Sequence, residues 1–312
     1  MKQKFVNELK FGDKLNNEQF AVKNVRYGKT ANGKDYIDLA LTDKTGEIAA
    51  KIWEDCIGSC DHVENGDVVE LSGVIEEFRD KLQLRVTFMQ KEKDIALENF
   101  LPTTKKDIDV LWQILEAKIF DVKDKNLKKL LEHFFTDEEF VKKFKQSPAA
   151  ERLHHAYLGG LLEHTVEMLN QLDPLIIDFP ILNKDLMIAG VILHDIGKTE
   201  ELTVSQAIIR TTAGHLIGHL TQGALLVDKA IDKIKKFPTD LRGKLINMLI
   251  SHHEKMEFGC PVKPMTREAY ALCHLDNLSA KINMADRVIG ESQGNGEFTD
   301  YNHALETRLY IK

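Results

Sequence analysis

The stretch Ile188-Ala-Gly-Val-Ile-Leu-His-Asp-Ile-Gly-Lys198 decides how the larger part of this chain folds. Its apolar residues form a helical run, and the run ends on an imidazole, His194, beside a carboxylate, Asp195. A buried core rarely tolerates such a pair unless another group compensates its polarity, and a divalent metal ion compensates both side chains. The stretch therefore predicts a helix that delivers two metal ligands into a core.

Further candidate ligands follow along the chain in the order His, His-Asp, His, His-His, Asp. They are His164, His194, Asp195, His219, His252, His253 and Asp276. Four of them, His164, His194, Asp195 and Asp276, come from three predicted helices, so they can converge as four ligands in the core of a bundle. We expect Asp195 to bridge two ions through its two oxygens, with the later histidines holding the second ion.

Histidine and carboxylate ligands with open water positions suit Mn²⁺, Fe²⁺, Co²⁺ or Zn²⁺ better than Ca²⁺. Two such ions about 3.5–4 Å apart can clamp a phosphate group and activate the attacking water. Lys198 lies one helical turn beyond Asp195 and could neutralise a phosphate oxygen in the transition state. The alternative for Lys198 is a solvated lysine, favoured by the dipole at a helix end. The residues indicate a metal-dependent phosphohydrolase with Asp195 and Lys198 as its catalytic side chains.

The bulk composition is that of a globular protein, with 312 residues, 43% of them hydrophobic and 29% charged, and four cysteines. The N-terminus lacks a signal-type apolar region, and the apolar run 186–193 is too short to cross a bilayer. We therefore expect a cytoplasmic protein with free thiols and no membrane partner. The net charge of −7 counts against a non-specific binder of duplex DNA. It still allows single strands to bind in a local groove.

Residues 18–90 carry the pattern of a small β-barrel. Asn32-Gly33 is a strong hairpin signal, and residues 35–42 alternate between two faces of a strand. Three strands, a short irregular or helical connection and two more strands follow the order of an OB-type barrel. Another small barrel or the edge of a β-sandwich would give a similar order of predicted strands.

Helical patterns fill the rest of the chain, beginning with a helix over about 105–120 that Thr103 or Thr104 could cap. Strand signals are scarce there. The predicted architecture is therefore a small all-β OB-type barrel followed by an all-α helical bundle. The predicted domains are the barrel at 1–92, a linker with leading helices at 93–150, and the metal-binding helical domain at 151–312.

An OB barrel holds single-stranded nucleic acid by stacking bases on aromatic side chains and by contacting the backbone. We expect Tyr36 and Lys51 to make such contacts, although an aromatic residue in a small barrel can equally belong to its core. Arg26 and Lys34 add positive charge near the same surface. Trp53, at a strand end, is expected in the core.

A second candidate contact region precedes the first metal ligand. His154 and His155 follow Arg152 and come before the Gly159-Gly160 turn. Arg152 and His155 could line the mouth of the metal pocket and contact substrate phosphate. The alternative is a structural role in which the two imidazoles cap a helix end.

The ligand series resembles that of the HD-domain phosphohydrolase superfamily, and His194-Asp-Ile-Gly-Lys198 is a strong local match to its motif. The later histidines resemble those of the members that carry two metals. His215 could replace His219 as a ligand, but the segment His219-Leu-Thr-Gln-Gly223 resembles the superfamily's third-histidine segment. The resemblance therefore favours His219.

Over essentially its whole length, the chain resembles the YhaM family of 3′-to-5′ exoribonucleases. The resemblance rests on the segments 100–107, 148–164 and 214–219 and on the order of the two domains. It implies an OB domain before an HD domain, and hydrolysis of single-stranded RNA from the 3′ end, with single-stranded DNA as a substrate of some members. It also implies a divalent metal, typically manganese or cobalt, and the ligand types additionally allow iron.

Two other functions fit parts of the pattern. An HD-type nucleotide or cyclic-dinucleotide phosphohydrolase would use the same metal site, but a mononucleotide needs no separate strand-binding platform. A single-strand-binding accessory protein with an inert helical domain would need the barrel alone. The intact ligand series and Lys198 argue against that second alternative.

Overall fold

The computed structural model describes residues 2–79, 81–92, 96–204, 207–292 and 296–311. Contacts along the chain divide it into two compact units, and the main division falls between Pro102 and Thr103. The predicted boundary between residues 92 and 93 adjoins 93–95, which lie outside the described residues. The predicted three-part division stays a prediction, and the two units are described separately below.

The first unit is a closed barrel of five strands in the order β1-β2-β3-β5-β4. The strands and one short helix are β1 (Lys14–Lys29), β2 (Asp35–Asp43), β3 (Gly46–Trp53), α1 (Glu54–Ile57), β4 (Val68–Phe78) and β5 (Lys81–Lys91). β3 and β5 run parallel, and the other pairs are antiparallel. This topology confirms the predicted OB-type barrel. β1 begins four residues earlier than predicted, at Lys14.

Alternation of buried and exposed residues along β2 and β3 fills part of the interior of the barrel. On β2, Ile37, Leu39 and Leu41 are buried, while the residues between them are partly exposed. β3 continues the pattern with a buried Ile48, Ala50 and Ile52. Side chains on a strand point alternately to opposite faces, so the other residues of both strands form one outer surface.

The second unit is predominantly helical. Its longer helices are α2 (Ile108–Asp121), α3 (Lys125–Phe135), α4 (Glu138–Gln146), α5 (Gly160–Asp178), α6 (Lys184–Leu193), α9 (His219–Asp232), α10 (Thr239–Ser251) and α11 (Arg267–Glu291). Its shorter elements are α7 (Lys198–Glu201), β6 (Leu202–Val204), β7 (Ile208–Arg210) and α8 (Thr212–Ile217). The eight longer helices confirm the predicted bundle. Among the described residues, no helix is both long and apolar enough to span a membrane.

One hydrophobic core holds the leading helices and the ligand-bearing helices together. Leu115 of α2 and Phe144 of α4 share this core with Leu161 of α5 and Val191 of α6. α2 begins later than predicted because Asp107, rather than Thr103 or Thr104, caps its first turn through the backbone N–H groups of residues 109 and 110. The core therefore fixes the directions from which the candidate ligands enter.

A buried ion pair ties the N-terminus to the barrel. The Lys2 Nζ lies 3.1 Å from Asp43 Oδ2, with both side chains inaccessible to solvent. The same ammonium donates to the Gln19 carbonyl over 2.7 Å and lies 3.5 Å from the centre of the Phe20 ring. Burial lowers the pKa of Lys2, and the charge of Asp43 opposes that effect. Removing one member would leave a buried, uncompensated charge.

We expect Lys2→Ala to lower the free energy of unfolding of the barrel by about 3 kcal/mol. The protein has two tryptophans, one in the barrel (Trp53) and one in the helical unit (Trp112). Fluorescence of Trp53 during urea unfolding, in a Trp112→Phe background, would report on the barrel specifically.

The matched control is Lys23→Ala, which removes an exposed lysine paired with Glu47 on the same barrel. Exposed pairs contribute less than about 1 kcal/mol. Equal effects of the two substitutions would show that the buried pair does not stabilise the barrel.

Candidate metal centre and nucleic-acid surface

Five segments of the helical unit bring the predicted ligands to one place. α5 carries His164, and α11 carries Asp276. His194 and Asp195 follow the last residue of α6, so the end of that helix delivers both side chains. The first residue of α9 is His219, and the residues after α10 are His252 and His253.

The first ligand cluster combines His164, His194 and Asp276, all of them buried. The Nε2 atoms of the two imidazoles lie 3.3 Å apart, and Asp276 Oδ1 lies 3.1 Å from His164 Nε2. Asp195 Oδ2 completes the group at 3.5 Å from His194 Nε2 and 4.0 Å from His164 Nε2.

The second cluster lies at the other oxygen of Asp195. Asp195 Oδ1 is 3.5 Å from His219 Nε2 and also 3.5 Å from His252 Nε2. All three atoms are buried, and none has a hydrogen-bond partner among the described residues. Such orphaned polar atoms are rare in a core, and a metal ion would satisfy all three. The residues therefore fit the metal that the sequence predicts.

The protonation of the imidazoles also fits metal binding. The Nδ1 atoms of His194, His252 and His253 lie 2.8 Å, 2.8 Å and 3.0 Å from the backbone carbonyls of Val191, Leu249 and Phe258. A carbonyl only accepts, so Nδ1 carries a proton in each ring, and in the neutral form of the ring the lone pair is on Nε2. In His194 and His252 that lone pair points into the clusters.

A buried glutamate, which the sequence reasoning missed, orients His219. Glu201 Oε2 lies 2.9 Å from His219 Nδ1. Burial opposes ionisation of Glu201, but the hydrogen bond with His219 lowers its pKa below the usual value. The ionised carboxylate accepts from Nδ1–H and leaves Nε2 free. Its position at the end of α7, six residues after Asp195, matches no local pattern that could have revealed it.

Burial and neighbouring charges keep His252 and Asp195 in the forms that bind metal. Burial lowers the pKa of His252 to about 3, with the nearby His253 adding to the effect. Burial opposes ionisation of Asp195, but Lys198 and His194 outweigh it and hold its pKa well below the usual range. The centre therefore presents a neutral imidazole at His252 and an ionised carboxylate at Asp195 at neutral pH.

Lys198 is buried at the centre rather than solvated. Its Nζ lies 3.2 Å from Asp195 Oδ2, donates to the carbonyl of Ala149, and the residue is only 5% exposed. This placement excludes the alternative of a solvated lysine at a helix end. The ammonium instead neutralises the oxygen of Asp195 that faces the first cluster.

The remaining histidines differ in position. His253 lies beside His219 and His252 in the second group of potential ligands. His215 is exposed on α8 and belongs to none of the potential ligand groups among the described residues. The structure therefore places His219, and not His215, beside Asp195.

Several predicted contact residues share one outer face of the barrel. Arg26, Asp38 and Lys51 are register partners across β1, β2 and β3. Tyr36 and Trp53 pair in the next row. The Lys51 ammonium lies 4.5 Å from the centre of the Tyr36 ring and 4.8 Å from the ring of Trp53.

The expectation that Trp53 belongs to the core is wrong. Trp53 is 38% exposed, because it shares the outward orientation of Lys51 while Ile52 points inward. Tyr36 is half-buried and lies over Gly28, where an added Cβ would be 2.8 Å from the ring. Lys34 is exposed just before β2, 3.3 Å from Glu54.

Arg152 and His155 have contrasting environments. The Arg152 side chain is 86% exposed and lies 3.8 Å from Glu151. His155 is 1% exposed, and its Nε2 lies 3.1 Å from Glu167. His154 packs against His164, with ring centres 5.4 Å apart. The structure therefore brings His154 and His155 towards the ligand cluster and leaves Arg152 at the surface.

Comparisons with known proteins agree with both units. The HD domain family matches residues 161–281, and the OB-fold nucleic acid binding domain family matches residues 21–92. Fold and site therefore define an HD-domain protein that carries an OB-fold nucleic-acid-binding domain.

Full-length relatives narrow this assignment. The protein of Geobacillus sp. named 3′-5′ exoribonuclease YhaM is 34% identical to this chain, and the match covers 93% of this chain and 90% of the relative. The proteins of the same name from Bacillus licheniformis and Bacillus subtilis are 33% and 32% identical to this chain. Each match covers 93% of this chain and 92% of the relative. The chain belongs to the YhaM family.

A close approach of α9 to Gly197 allows His219 to reach Asp195. An added Cβ at Gly197 would lie 2.1 Å from the His219 carbonyl oxygen and 2.6 Å from the Gly223 nitrogen. We expect Gly197→Ala to displace α9 and reduce the bound Mn²⁺ per chain, measured by elemental analysis after dialysis. Gly243→Ala on α10 is the matched control, because its Cβ would meet nothing within 4 Å. Equal metal content in both variants would contradict the prediction.

Proposed function

We propose that this chain is a metal-dependent 3′-to-5′ exoribonuclease that hydrolyses phosphodiester bonds of single-stranded RNA, with single-stranded DNA as a second substrate. The observation that carries the proposal is the set of orphaned ligand atoms around Asp195: Asp195 Oδ1, His219 Nε2 and His252 Nε2. The OB-fold unit supports binding of a nucleic-acid strand, and the names of the full-length relatives support the choice of RNA.

Two ions fit the arrangement of the ligands. His164, His194 and Asp276 would hold one ion with Asp195 Oδ2, and His219 and His252 would hold the other with Asp195 Oδ1. His253 would assist at the second position. We propose Mn²⁺ as the ion, with Co²⁺ and Fe²⁺ as alternatives that the same ligand types accept. When bound, such a pair clamps a phosphate and activates water.

The protein's own side chains prepare the centre for this chemistry. Asp195 would bridge the ions, since its two oxygens face different clusters. Lys198 holds a positive charge beside that carboxylate, and we propose that it stabilises negative charge on the phosphate as the bond breaks. Because hydrogen bonds to Nδ1 fix His194, His219 and His252, these ligands need little reorganisation during the reaction.

The barrel face would hold the rest of the strand. Tyr36 and Trp53 offer aromatic surface for stacking bases, and Lys51 between them supplies a charge for the backbone. Arg26 and Lys34 would add further cationic groups, and the strand would compete with Asp38, 3.1 Å from Lys51, and Glu54, 3.3 Å from Lys34. Arg152, exposed just before His154, would contact the strand near the metal centre. We do not include His155 among the direct contacts, because it is buried and bonded to Glu167.

The alternatives explain less of the molecule. A phosphohydrolase for nucleotides or cyclic dinucleotides would leave the aromatic face of the barrel without a role. A strand-binding protein with an inert helical unit would leave three buried polar atoms unsatisfied at considerable energetic cost.

Asp195→Asn keeps the size of the side chain but removes the charge needed to bridge two ions. We expect hydrolysis to fall more than ~100-fold, while binding of single-stranded RNA is largely retained. The measurement is a time course with 5′-labelled single-stranded RNA and Mn²⁺, in which wild type shortens the strand from its 3′ end.

Asp286→Asn is the matched control, since it makes the same change at an exposed position on α11. RNA that stays intact with the wild type and Mn²⁺ would refute the proposed activity. A fully active Asp195→Asn variant would remove Asp195 from the reaction.

The outer face of the barrel that carries Tyr36 and Lys51 can be tested separately. We expect the double variant Tyr36→Ala, Lys51→Ala to raise KM for a long RNA strand about tenfold, because one stacked base contributes roughly 1–3 kcal/mol. Cleavage of a dinucleotide should be unchanged. Tyr301→Ala, at an exposed tyrosine, is the control. If the double variant had the same KM for long RNA as the wild type, this face would be excluded as the strand-binding surface.

A further inference from the structure

One metal-centre histidine is oriented in a way that the others are not. The Nδ1 atoms of His194, His252 and His253 face backbone carbonyls, and that of His219 faces Glu201 directly. His164 Nδ1 instead lies 2.9 Å from the hydroxyl oxygen of Ser279, on α11. A hydroxyl can donate or accept, so it does not by itself decide which nitrogen of His164 carries the proton.

A third side chain, Glu167, decides in which direction the Ser279 hydroxyl donates. The Ser279 hydroxyl donates to Glu167 Oε2 over 2.7 Å. With its single proton committed to the carboxylate, Ser279 can only accept from His164, so Nδ1 carries the proton. The other nitrogen, His164 Nε2, lies 3.3 Å from His194 Nε2 and 3.1 Å from the carboxylate of Asp276, and a metal ion bound there would replace a proton between these atoms.

From this geometry we propose that Ser279 and Glu167 form a positioning relay that keeps His164 Nε2 free for a metal ion. The inference rests on the proposed metal-dependent function. Neither residue is placed as a ligand or as a group that touches substrate. Carboxylates that act on ligand histidines from outside the centre typically change metal affinity by about 10–100-fold when removed.

The surroundings of Glu167 keep it ionised. The Lys106 ammonium lies 2.7 Å from its Oε1, and His155 Nε2 lies 3.1 Å from its Oε2. Burial opposes ionisation, but the hydrogen bonds from His155, Lys106 and Ser279 lower the pKa of Glu167 to about 2. An ionised carboxylate can only accept hydrogen bonds, so the direction of the relay is fixed across the neutral range.

His155 is held in this network by a strained backbone. Its φ of 45° lies in the left-handed region, which is unfavourable for a residue with a side chain. Its N–H donates to Asn283 Oδ1 over 2.7 Å, and its carbonyl accepts from the backbone of Ala149 and Tyr157. The surrounding structure therefore forces the imidazole against Glu167, which agrees with a positioning role for His155.

The acidic side chains here do not form another cation site. Glu163 and Glu167 lie near His155 and could together bind an ion. However, Lys106 Nζ lies 3.1 Å from Glu163 and 2.7 Å from Glu167. The ammonium supplies the positive charge that a metal ion would otherwise bring to these two carboxylates.

The test is a Co²⁺ titration of full-length protein, followed by the visible absorption of bound Co²⁺. We expect Ser279→Ala to weaken Co²⁺ binding at one of two sites by about 10–100-fold and leave the other unchanged. Ser279→Thr retains the hydroxyl and should bind as the wild type does. Ser147→Ala is the matched control, because it removes a buried hydroxyl at the end of α4 that, among the described residues, donates to the Lys143 carbonyl of its own helix.

A second pair of variants tests the carboxylate. Glu167→Gln can donate as well as accept, so Ser279 is no longer obliged to accept from His164. We expect a weaker Co²⁺ site and, before metal is added, a changed ¹⁵N chemical shift of His164 Nδ1. Glu163→Gln changes a buried glutamate on the same helix that also bonds to Lys106, and should leave both readouts as in wild type.

The outcomes separate the relay from the metal centre. Wild type that takes up no Co²⁺ would overturn the proposed function itself. Wild type that binds two ions, with Ser279→Ala and Glu167→Gln binding equally well, would overturn the relay alone. Equal losses in Ser279→Ala and Ser279→Thr would also overturn it, because the threonine keeps the hydroxyl.

Discussion

The carboxylate of Asp195 is the group on which the helical unit depends. One of its oxygens faces His164 and His194, and the other faces His219 and His252. A charged group this deeply buried is tolerable only where opposite charge and hydrogen-bond donors surround it. Lys198 supplies part of that charge. The unpaired nitrogens and oxygen on the far side indicate where a bound cation would supply the rest.

The packing of the helices serves this one group. α6 is apolar and buried from Leu186 to its last residue, Leu193, so the end of the helix can carry His194 and Asp195 into the interior. α9 can start beside them because Gly197 has no side chain where the two backbones meet. Hydrogen bonds to Nδ1 then turn the rings, so that the Nε2 atoms of His164, His194, His219 and His252 point inwards. Rigid packing and local hydrogen bonds together set a geometry that loops alone would not hold.

The sequence reveals those parts of the protein that follow a local periodicity. The alternation along β2 predicted its two faces, and the 3.6-residue pattern predicted the longer helices. The short strands β6 and β7 were missed, because three residues are too few to show alternation. Trp53 was misassigned because its position at the end of β3 was weighed above the parity of the strand.

In the candidate metal centre, too, some residues were recognisable from the sequence and others were not. The ligands were recognisable because histidines and aspartates at these spacings are chemically unusual in apolar helices. Glu201, Glu167 and Ser279 were not recognisable, because their roles depend on contacts between distant segments. Glu167 and Ser279 lie 112 residues apart in the chain, and the sequence around either is ordinary for a helix. Only the packed structure shows that the two side chains meet behind His164.

We propose that Asp195 bridges two metal ions, and anomalous scattering from crystals of the full-length protein grown with Mn²⁺ would locate both ions. We expect two peaks, one beside Asp195 Oδ2 with His164, His194 and Asp276, and one beside Asp195 Oδ1 with His219 and His252. A single peak, or manganese bound away from Asp195, would contradict the claim.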